Sequence, residues 1–217
     1  MRKSGILALS CLLLASTSIR GQNAPLGKEV IRKFSERMAQ NQTIHATFTF
    51  TLENLRDNIR DSHQGSISLK GSKYILELMG MKVYFNGITK WQFIPEANEV
   101  TISQPTSVEG GFFDDPTQIF RDYEKAFKSQ FIGERVIGGK AIYEVDLYPE
   151  DISVPYSIIK IQFEKVTLNP VSIKYQGKDG NNYIIDIKTY RTNTPMSDQS
   201  FDFDPKAHQG IEIVDLR

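Results

Sequence analysis

Residues 74–103, which read YILELMGMKVYFNGITKWQFIPEANEVTIS, decide the fold of this chain. Apolar side chains alternate with polar ones along successive runs, and turn sequences separate the runs. Asn86-Gly87 tolerates the positive φ angles of a tight hairpin turn. Alternation with a period of two residues, broken by a turn roughly every 8–12 residues, predicts an antiparallel meander with one apolar face. The side chains predicted to share that face are Tyr74, Leu76, Leu78, Val83, Phe85, Trp91 and Phe93.

The same alternation continues on both sides of this stretch. Residues 44–53 form a predicted strand, residues 56–63 a polar loop, and the second half of the chain contains further strands divided by hairpin turns. The sequence therefore predicts a mainly β fold of about eleven antiparallel strands in one domain, residues 22–217. The additional side chains predicted for the apolar face are Phe48, Phe50, Tyr143, Ile161 and Phe163.

Two helices interrupt the strands. Residues 27–41 place apolar side chains at helical spacing among charged ones, which predicts a helix with one apolar stripe. A second helix is predicted from Pro116 to Gln130, since Asp115 is a suitable N-cap and proline is favoured at the first helical position. Its aromatic stripe has two interpretations, a fixed core helix or a mobile lid over a cavity. The predicted lid residues are Ile119, Phe120, Tyr123 and Phe127.

Composition and motifs argue against several classes of function. The chain has 26 Lys and Arg and 26 Asp and Glu, so no basic field predicts nucleic-acid binding. His45, His63 and His208 have no metal-binding spacing, and no nucleophile elbow or phosphate-binding loop is present. We therefore expect no metal, no cofactor and no enzymatic activity. A pair of carboxylates that meet in space, as in a glycosidase, is an alternative that the sequence leaves open.

The N-terminal residues 1–21 have the pattern of a signal peptide. Arg2 and Lys3 precede a short apolar run, and small residues follow it up to a predicted cleavage site near Gly21-Gln22. An N-terminal membrane anchor is the alternative, but the run is short for a bilayer span. The single cysteine, Cys11, lies inside this run, so that the mature chain would contain no cysteine.

The predicted number of strands bears on whether the apolar face encloses a hollow. A closed barrel of about eight strands is filled by its own side chains or holds one small ligand. A sheet of about eleven strands curls more widely, so that an apolar hollow suited to acyl chains would remain beside the helices. A flattened sandwich with a dry core accounts for the strand number equally well.

Short motifs along the mature chain together indicate a family. Each motif is weak alone, but their order and spacing are specific, and they cover nearly all of the mature chain. The chain resembles the LolA family, the periplasmic carriers of outer-membrane lipoproteins, in the version found in Bacteroidetes-type bacteria. The motifs are Ile44-His45-Ala46-Thr47-Phe48, Lys73-Tyr74-Ile75-Leu76-Glu77-Leu78, Tyr84-Phe85-Asn86-Gly87 with Trp91 and Pro95, Asp146-Leu147-Tyr148-Pro149, Ile173-Lys174-Tyr175 with Gly177-Lys178-Asp179-Gly180, and Phe201-Asp202-Phe203-Asp204-Pro205.

This resemblance implies an unclosed antiparallel β-barrel with a helical lid over an apolar cavity. It implies that a monomer in the periplasm binds the acyl chains of lipoproteins there. The implied partners are acylated lipoproteins, an inner-membrane ABC-type lipoprotein-releasing complex and an outer-membrane receptor. Better-known members have an Arg-Pro pair whose arginine bonds the lid, and the matching residues here are Lys70-Gly71. Lys70 is therefore the expected lid latch, although lysine lacks the planar fork of arginine.

Two other functions are compatible with the same fold. A lipoprotein-sensing regulator would use the cavity for detection, but it would need a signalling domain for which this chain has no spare length. An outer-membrane receptor of this fold is itself acylated, whereas the mature chain has no cysteine to acylate. The carrier is thus the function that the sequence favours.

Overall fold

The computed structural model describes residues 23–104 and 123–217. Within these residues the chain forms one continuous open sheet and two α-helices. The helices are α1 (Asn23–Gln40) and α2 (Tyr123–Ala126). The strands are β1 (Ile44–Asn54), β2 (Ile59–Lys70), β3 (Lys73–Leu78), β4 (Met81–Phe85), β5 (Lys90–Ile94), β6 (Glu99–Ser103), β7 (Phe127–Ile137), β8 (Lys140–Pro149), β9 (Tyr156–Glu164), β10 (Pro170–Gly177), β11 (Asn181–Thr192) and β12 (Glu212–Asp215).

The sheet is unclosed. Its twelve strands lie in the order β12-β6-β5-β4-β3-β2-β1-β11-β10-β9-β8-β7, so β12 and β7 form its two edges. Neighbouring strands are antiparallel except β12, which lies parallel to β6. This confirms the predicted unclosed antiparallel barrel, and the strand beyond the predicted eleven is the C-terminal β12. Neither helix in the described residues has the length and apolar character that crossing a bilayer requires.

Local turn chemistry sets the register of the meander. Met79 and Gly80 join β3 to β4 with φ angles of 54° and 75°. Positive φ at both positions is the conformation of a type I′ turn, whose twist matches that of the flanking strands. The turn thereby pairs Leu78 with Met81 and Tyr74 with Phe85, which puts these four side chains on one face.

The apolar stripe of α1 packs against this same face. Ile31 and Phe34 are each 1% exposed, as the helical spacing predicts. Gly27 allows the helix to approach β7 closely, since a Cβ atom there would lie 2.7 Å from the backbone nitrogen of Phe131. The helix is therefore a fixed part of the core, and we call the sheet face beneath it the core face. The opposite side of the sheet is the outer face.

The C-terminal segment covers part of the outer face, and we call residues 198–215 the C-terminal strap. Phe203 packs against Tyr84 and Phe93, with ring centroids 5.7 and 5.2 Å apart. His208 stacks on Phe203 with ring centroids 5.0 Å apart, and it also lies 4.4 Å from Phe93. Asn86 donates a hydrogen bond of 2.7 Å to Asp202, and β12 then pairs with β6. The strap thus closes a second, smaller hydrophobic cluster and covers one edge of the meander.

The predicted polar loop at residues 56–63 is wrong over most of its length. β2 begins at Ile59, and its pairing with β1 is continuous from Asn54 and Ile59 to Ile44 and Leu69. The first half of β2 is polar and largely exposed, so no apolar alternation marks it. Its backbone pairing, rather than burial of its side chains, makes this segment a strand.

The predicted helix from Pro116 to Gln130 is also partly wrong. Residues 116–122 lie outside the described residues, α2 covers Tyr123–Ala126, and β7 begins at Phe127. Phe127 and Phe131 alternate on the core face, where Phe131 pairs with Val145 of β8. Tyr123, Phe127 and Phe131 are spaced four residues apart, and residues at this spacing share one face in a helix and also in a strand. The sequence alone therefore did not mark the boundary between α2 and β7.

A charged cluster on the outer face predicts a pH-dependent contribution to stability. The Glu53 side chain, 12% exposed, accepts hydrogen bonds from Lys174 at 3.1 Å and Arg60 at 2.6 Å. The Lys174 hydrogen bond is the main cause that lowers the pKa of Glu53 from its ordinary value of 4.5. Because the folded pKa lies below the unfolded one, the stabilisation is complete above pH 4.5 and is lost as the pH falls through the folded pKa.

We therefore expect Glu53→Gln to destabilise the protein at pH 7 and to have a smaller effect at pH 3. Urea melts at several pH values measure the difference in unfolding free energy from wild type. Glu96→Gln, in an exposed turn, is the control for loss of one negative charge. If the loss of unfolding free energy in Glu53→Gln does not vary with pH, the proposed pH-dependent contribution of Glu53 is contradicted.

Candidate ligand-binding site

The core face is one continuous apolar surface that runs across the sheet from β4 to β7. Cross-strand pairs keep its members together: Leu76 pairs with Val83, Ile67 with Leu76, and Ile161 with Ile173. All the residues predicted for the apolar face, except two, lie in this cluster. Those that are buried are Phe48, Phe50, Tyr74, Leu76, Leu78, Val83, Ile161 and Phe163, and Phe85 and Tyr143 are partly buried at its margin.

The prediction that Trp91 and Phe93 share this face is wrong. Trp91 pairs with Tyr84, and Phe93 pairs with Lys82, so both lie on the outer face. There they belong to the small cluster beneath the C-terminal strap. Four residues, 86–89, separate β4 from β5, and a hairpin loop with an even number of residues pairs odd positions with even ones. Odd-numbered residues of β5 therefore lie on the opposite face from odd-numbered residues of β4. The number of residues in the loop could have revealed that Trp91 and Phe93 lie on the outer face.

The core face also contains a path of contacting aromatic rings that is not apparent from the sequence. Phe34 of α1 contacts Phe163, with ring centroids 4.8 Å apart, and lies 6.2 Å from Tyr123. The path continues through Phe127 to Tyr156 and Tyr175, with centroid distances of 5.8, 6.3 and 5.5 Å. In the sequence, Tyr175 belongs to the motif Ile173-Lys174-Tyr175, but it is not among the residues predicted for the apolar face. Tyr156 lay in no predicted strand, since β9 starts earlier than its apolar residues indicate.

Tyr123 places a polar atom inside this apolar surface. The side chain is 2% exposed, and its hydroxyl has no hydrogen-bond partner in the part of the chain that the structure describes. Burial raises the pKa of Tyr123 well above its ordinary value, and the nearby Tyr175 phenol adds to the effect. No hydrogen bond of acceptable geometry joins the two phenols, however. An unpaired buried hydroxyl costs about 1–3 kcal/mol.

The predicted lid is only partly within the described residues. Ile119 and Phe120 lie outside them, Tyr123 is buried in α2, and Phe127 is a half-buried strand residue. The two described members thus contact the core face from different elements. Whether α2 moves when a ligand enters stays a prediction.

The predicted latch residue, Lys70, contacts the segment that leads into the strap. Its ammonium group donates a hydrogen bond of 2.8 Å to the Met196 carbonyl and lies 2.7 Å from Asp198. Lys73 lies 3.1 Å from the same carboxylate, and the two lysines lower the pKa of Asp198. Lys70 also borders a cleft of about 440 Å³ that Thr43 and residues 193–197 help to line. The partners described for Lys70 therefore belong to the C-terminal segment.

The site favours binding of an apolar molecule over metal chemistry. No group of three or more His, Cys, Asp or Glu residues in the described ranges could hold a metal ion. His45 bonds Ser68 on the outer face, and His63 bonds Asp61. A predominantly apolar surface with a few convergent polar groups is typical of sites that bind small molecules and lipids.

Comparisons with known proteins support the fold. No protein-family model matches the sequence, and no curated protein matches it. An uncharacterized conserved protein from Thermus thermophilus has a similar structure, with a TM-score of 0.56 and 9% identity, over 87% of this chain and 98% of that one. At this identity the likeness is one of fold.

Two other similar structures carry more specific descriptions. A putative outer membrane lipoprotein-sorting protein domain from Vibrio parahaemolyticus matches 83% of this chain and 97% of its own, with 12% identity and a TM-score of 0.49. A LolA superfamily protein from Nitrosomonas europaea matches 82% of this chain and 97% of its own, with 13% identity and a TM-score of 0.43.

Proposed function

We propose that this chain is a LolA-type carrier that binds the acyl chains of lipoproteins on its core face. The observation that carries the proposal is the unbroken apolar surface of an open sheet, from Val83 on β4 to Phe131 on β7. α1 covers part of that surface, and half-buried aromatic side chains form its margin. Such a surface suits long apolar chains, which gain about 0.8 kcal/mol for each buried methylene group.

The half-buried residues at the margin are the proposed contacts for the ligand. They retain exposed apolar area that an acyl chain would cover, whereas the buried residues support them from within. The proposed contact residues are Met81, Phe85, Phe127, Phe131, Tyr143, Tyr156 and Tyr183.

The wider cellular role is proposed from the sequence resemblance. The signal peptide would direct the chain to the periplasm, with cleavage near Gly21-Gln22. There the carrier would receive acylated lipoproteins from an inner-membrane ABC-type complex and pass them towards the outer membrane, with a receptor as the acceptor. The proposed lid residues are those predicted from the sequence, Ile119, Phe120, Tyr123 and Phe127. Lys70 is the proposed latch, acting through its contacts to residues 196–198.

Phe127 provides a direct test of binding on the core face. We expect Phe127→Gln to weaken the binding of a fluorescent dipalmitoylated lipopeptide about tenfold or more, because a phenylalanine contributes roughly 1.5–3 kcal/mol when covered. Lys128→Gln is the matched control, since it puts the same amide on the opposite, exposed side of β7. Fluorescence polarisation with delipidated mature protein measures both affinities.

Equal affinities for the two variants, or no saturable binding by wild type, would contradict the proposal. A fluorescent ligand is needed because Trp91 lies on the outer face and does not report on this surface. A second assay separates a carrier from a lipoprotein sensor of the same fold. A carrier should release bound lipopeptide to acceptor vesicles, whereas a sensor has no need to do so.

A further inference from the structure

The core face contains three tyrosines whose phenols lie in one region. Tyr156 and Tyr175 are in contact, with ring centroids 5.5 Å apart. Tyr123 reaches the same region from α2, because the Phe127 ring lies 5.8 Å from that of Tyr123 and 6.3 Å from that of Tyr156. Phe34 and Phe127 flank Tyr123 with ring centroids 6.2 and 5.8 Å away. The phenols therefore form a polar point within an otherwise apolar surface.

This polar point has an unused hydrogen-bond donor. The Tyr123 hydroxyl is buried without a partner among the described residues. A phenylalanine would fill nearly the same volume without leaving a donor unpaired, so packing alone does not account for the hydroxyl. The donor would be satisfied if an incoming apolar molecule brought a hydrogen-bond acceptor with it.

We propose that the phenols of Tyr123, Tyr156 and Tyr175 form a subsite for the carbonyl oxygens of fatty acyl esters. The inference rests on the proposed function and specifies which part of the ligand the phenols recognise. An ester carbonyl accepts hydrogen bonds but donates none, and it lies at the head of the acyl chains. A phenol can donate to it while its ring contacts the chain.

The same geometry disfavours free fatty acids. A carboxylate is charged, and its transfer into this apolar surface costs far more than that of a neutral carbonyl. No lysine or arginine is among the side chains of the described core-face cluster to compensate the charge. The subsite should therefore prefer esterified acyl chains to free fatty acids.

The decisive experiment compares an ester ligand with its ether analogue. The ester ligand is a fluorescent S-(2,3-bis(palmitoyloxy)propyl)cysteine peptide, and the ether analogue replaces both ester carbonyls with methylene groups. We expect wild type to bind the ester about tenfold more tightly, since only the ester carries the carbonyl acceptors. Tyr123→Phe should remove most of this preference by weakening ester binding alone.

Tyr84→Phe is the matched control. Tyr84 lies on the outer face, where it pairs with Trp91 and its ring lies 5.7 Å from that of Phe203, so it is outside the proposed ligand site. We expect this variant to retain the preference for the ester. Thermal melts of each variant verify folding, and Tyr123→Phe should melt no lower than wild type, because it removes an unpaired donor.

The outcomes separate this inference from the proposed function. Equal binding of ester and ether by wild type, or an equal loss of both in Tyr123→Phe, would overturn the ester subsite and leave acyl binding intact. Binding of neither ligand would overturn both proposals. Competition identifies the source of the ester. A diacyl phospholipid that displaces the lipopeptide as well as unlabelled lipopeptide does would retain the subsite but overturn the assignment to lipoproteins.

Discussion

Replacing Phe34 with alanine is expected to lower the free energy of unfolding by about 3–5 kcal/mol. Phe34 is 1% exposed and contacts Phe163, with ring centroids 4.8 Å apart. Its removal would leave a cavity between α1 and the sheet that the neighbours cannot fill, because β1 and β9 are held by strand pairing on both sides. Urea denaturation followed by circular dichroism measures the loss.

The neighbouring Lys33 supplies the control. Its side chain is 56% exposed and forms an ion pair with Glu29 within α1. Lys33→Ala should change stability by less than about 0.5 kcal/mol, since exposed helical ion pairs contribute little. A loss below about 1 kcal/mol for Phe34→Ala would mean that α1 is loosely docked. In that case α1, rather than α2, would be the candidate for a moving lid.

Replacing Phe203 with alanine is expected to detach the C-terminal strap. Phe203 is 6% exposed, and its ring lies 5.2 Å from that of Phe93 and 5.0 Å from that of His208. The loss should approach about 3–5 kcal/mol if the strap unfolds together with the sheet. If the strap opens separately, the outer-face cluster should become exposed under conditions in which the core remains folded.

Trp91 is the natural reporter for this experiment. It is the only tryptophan of the chain, and it packs in the cluster that the strap covers. We expect its emission to shift to longer wavelength in Phe203→Ala, at denaturant concentrations that leave the wild-type emission unchanged. Lys206→Ala, at an exposed position of the same strap, should leave emission and stability unchanged. An unchanged emission in Phe203→Ala would contradict the role of Phe203 as the anchor of the strap.

These two predictions concern surfaces that the sequence identified to different degrees. The stripe of Ile31, Phe34 and Met38 was visible in the sequence, because helical spacing depends only on local geometry. The cluster around Phe93 was not, because its formation depends on a segment more than a hundred positions away in the chain. In the sequence, Phe203 belongs to the motif Phe201-Asp202-Phe203-Asp204-Pro205, which does not indicate what its ring packs against.

The residues of the core face were likewise only partly predicted from the sequence. Most of its residues were found from strand alternation, since each strand independently shows which of its sides is apolar. Trp91 and Phe93 were misplaced, because alternation within one strand does not say which face of the sheet its apolar side joins. Tyr123 was predicted as a lid residue, but its buried hydroxyl, unpaired among the described residues, became evident only in the folded chain.

By itself, the sequence determined the class of fold, the approximate number of strands, the apolar stripe of α1 and the absence of familiar catalytic motifs. These features follow from local periodicity and residue chemistry. Only the tertiary structure decided that β2 begins at Ile59, that β7 begins at Phe127 and that the apolar side of β5 lies on the outer face. The physical reason is that sheet pairing satisfies backbone hydrogen bonds whatever the side chains are. Register and face are therefore properties of neighbouring strands together and not of any single strand.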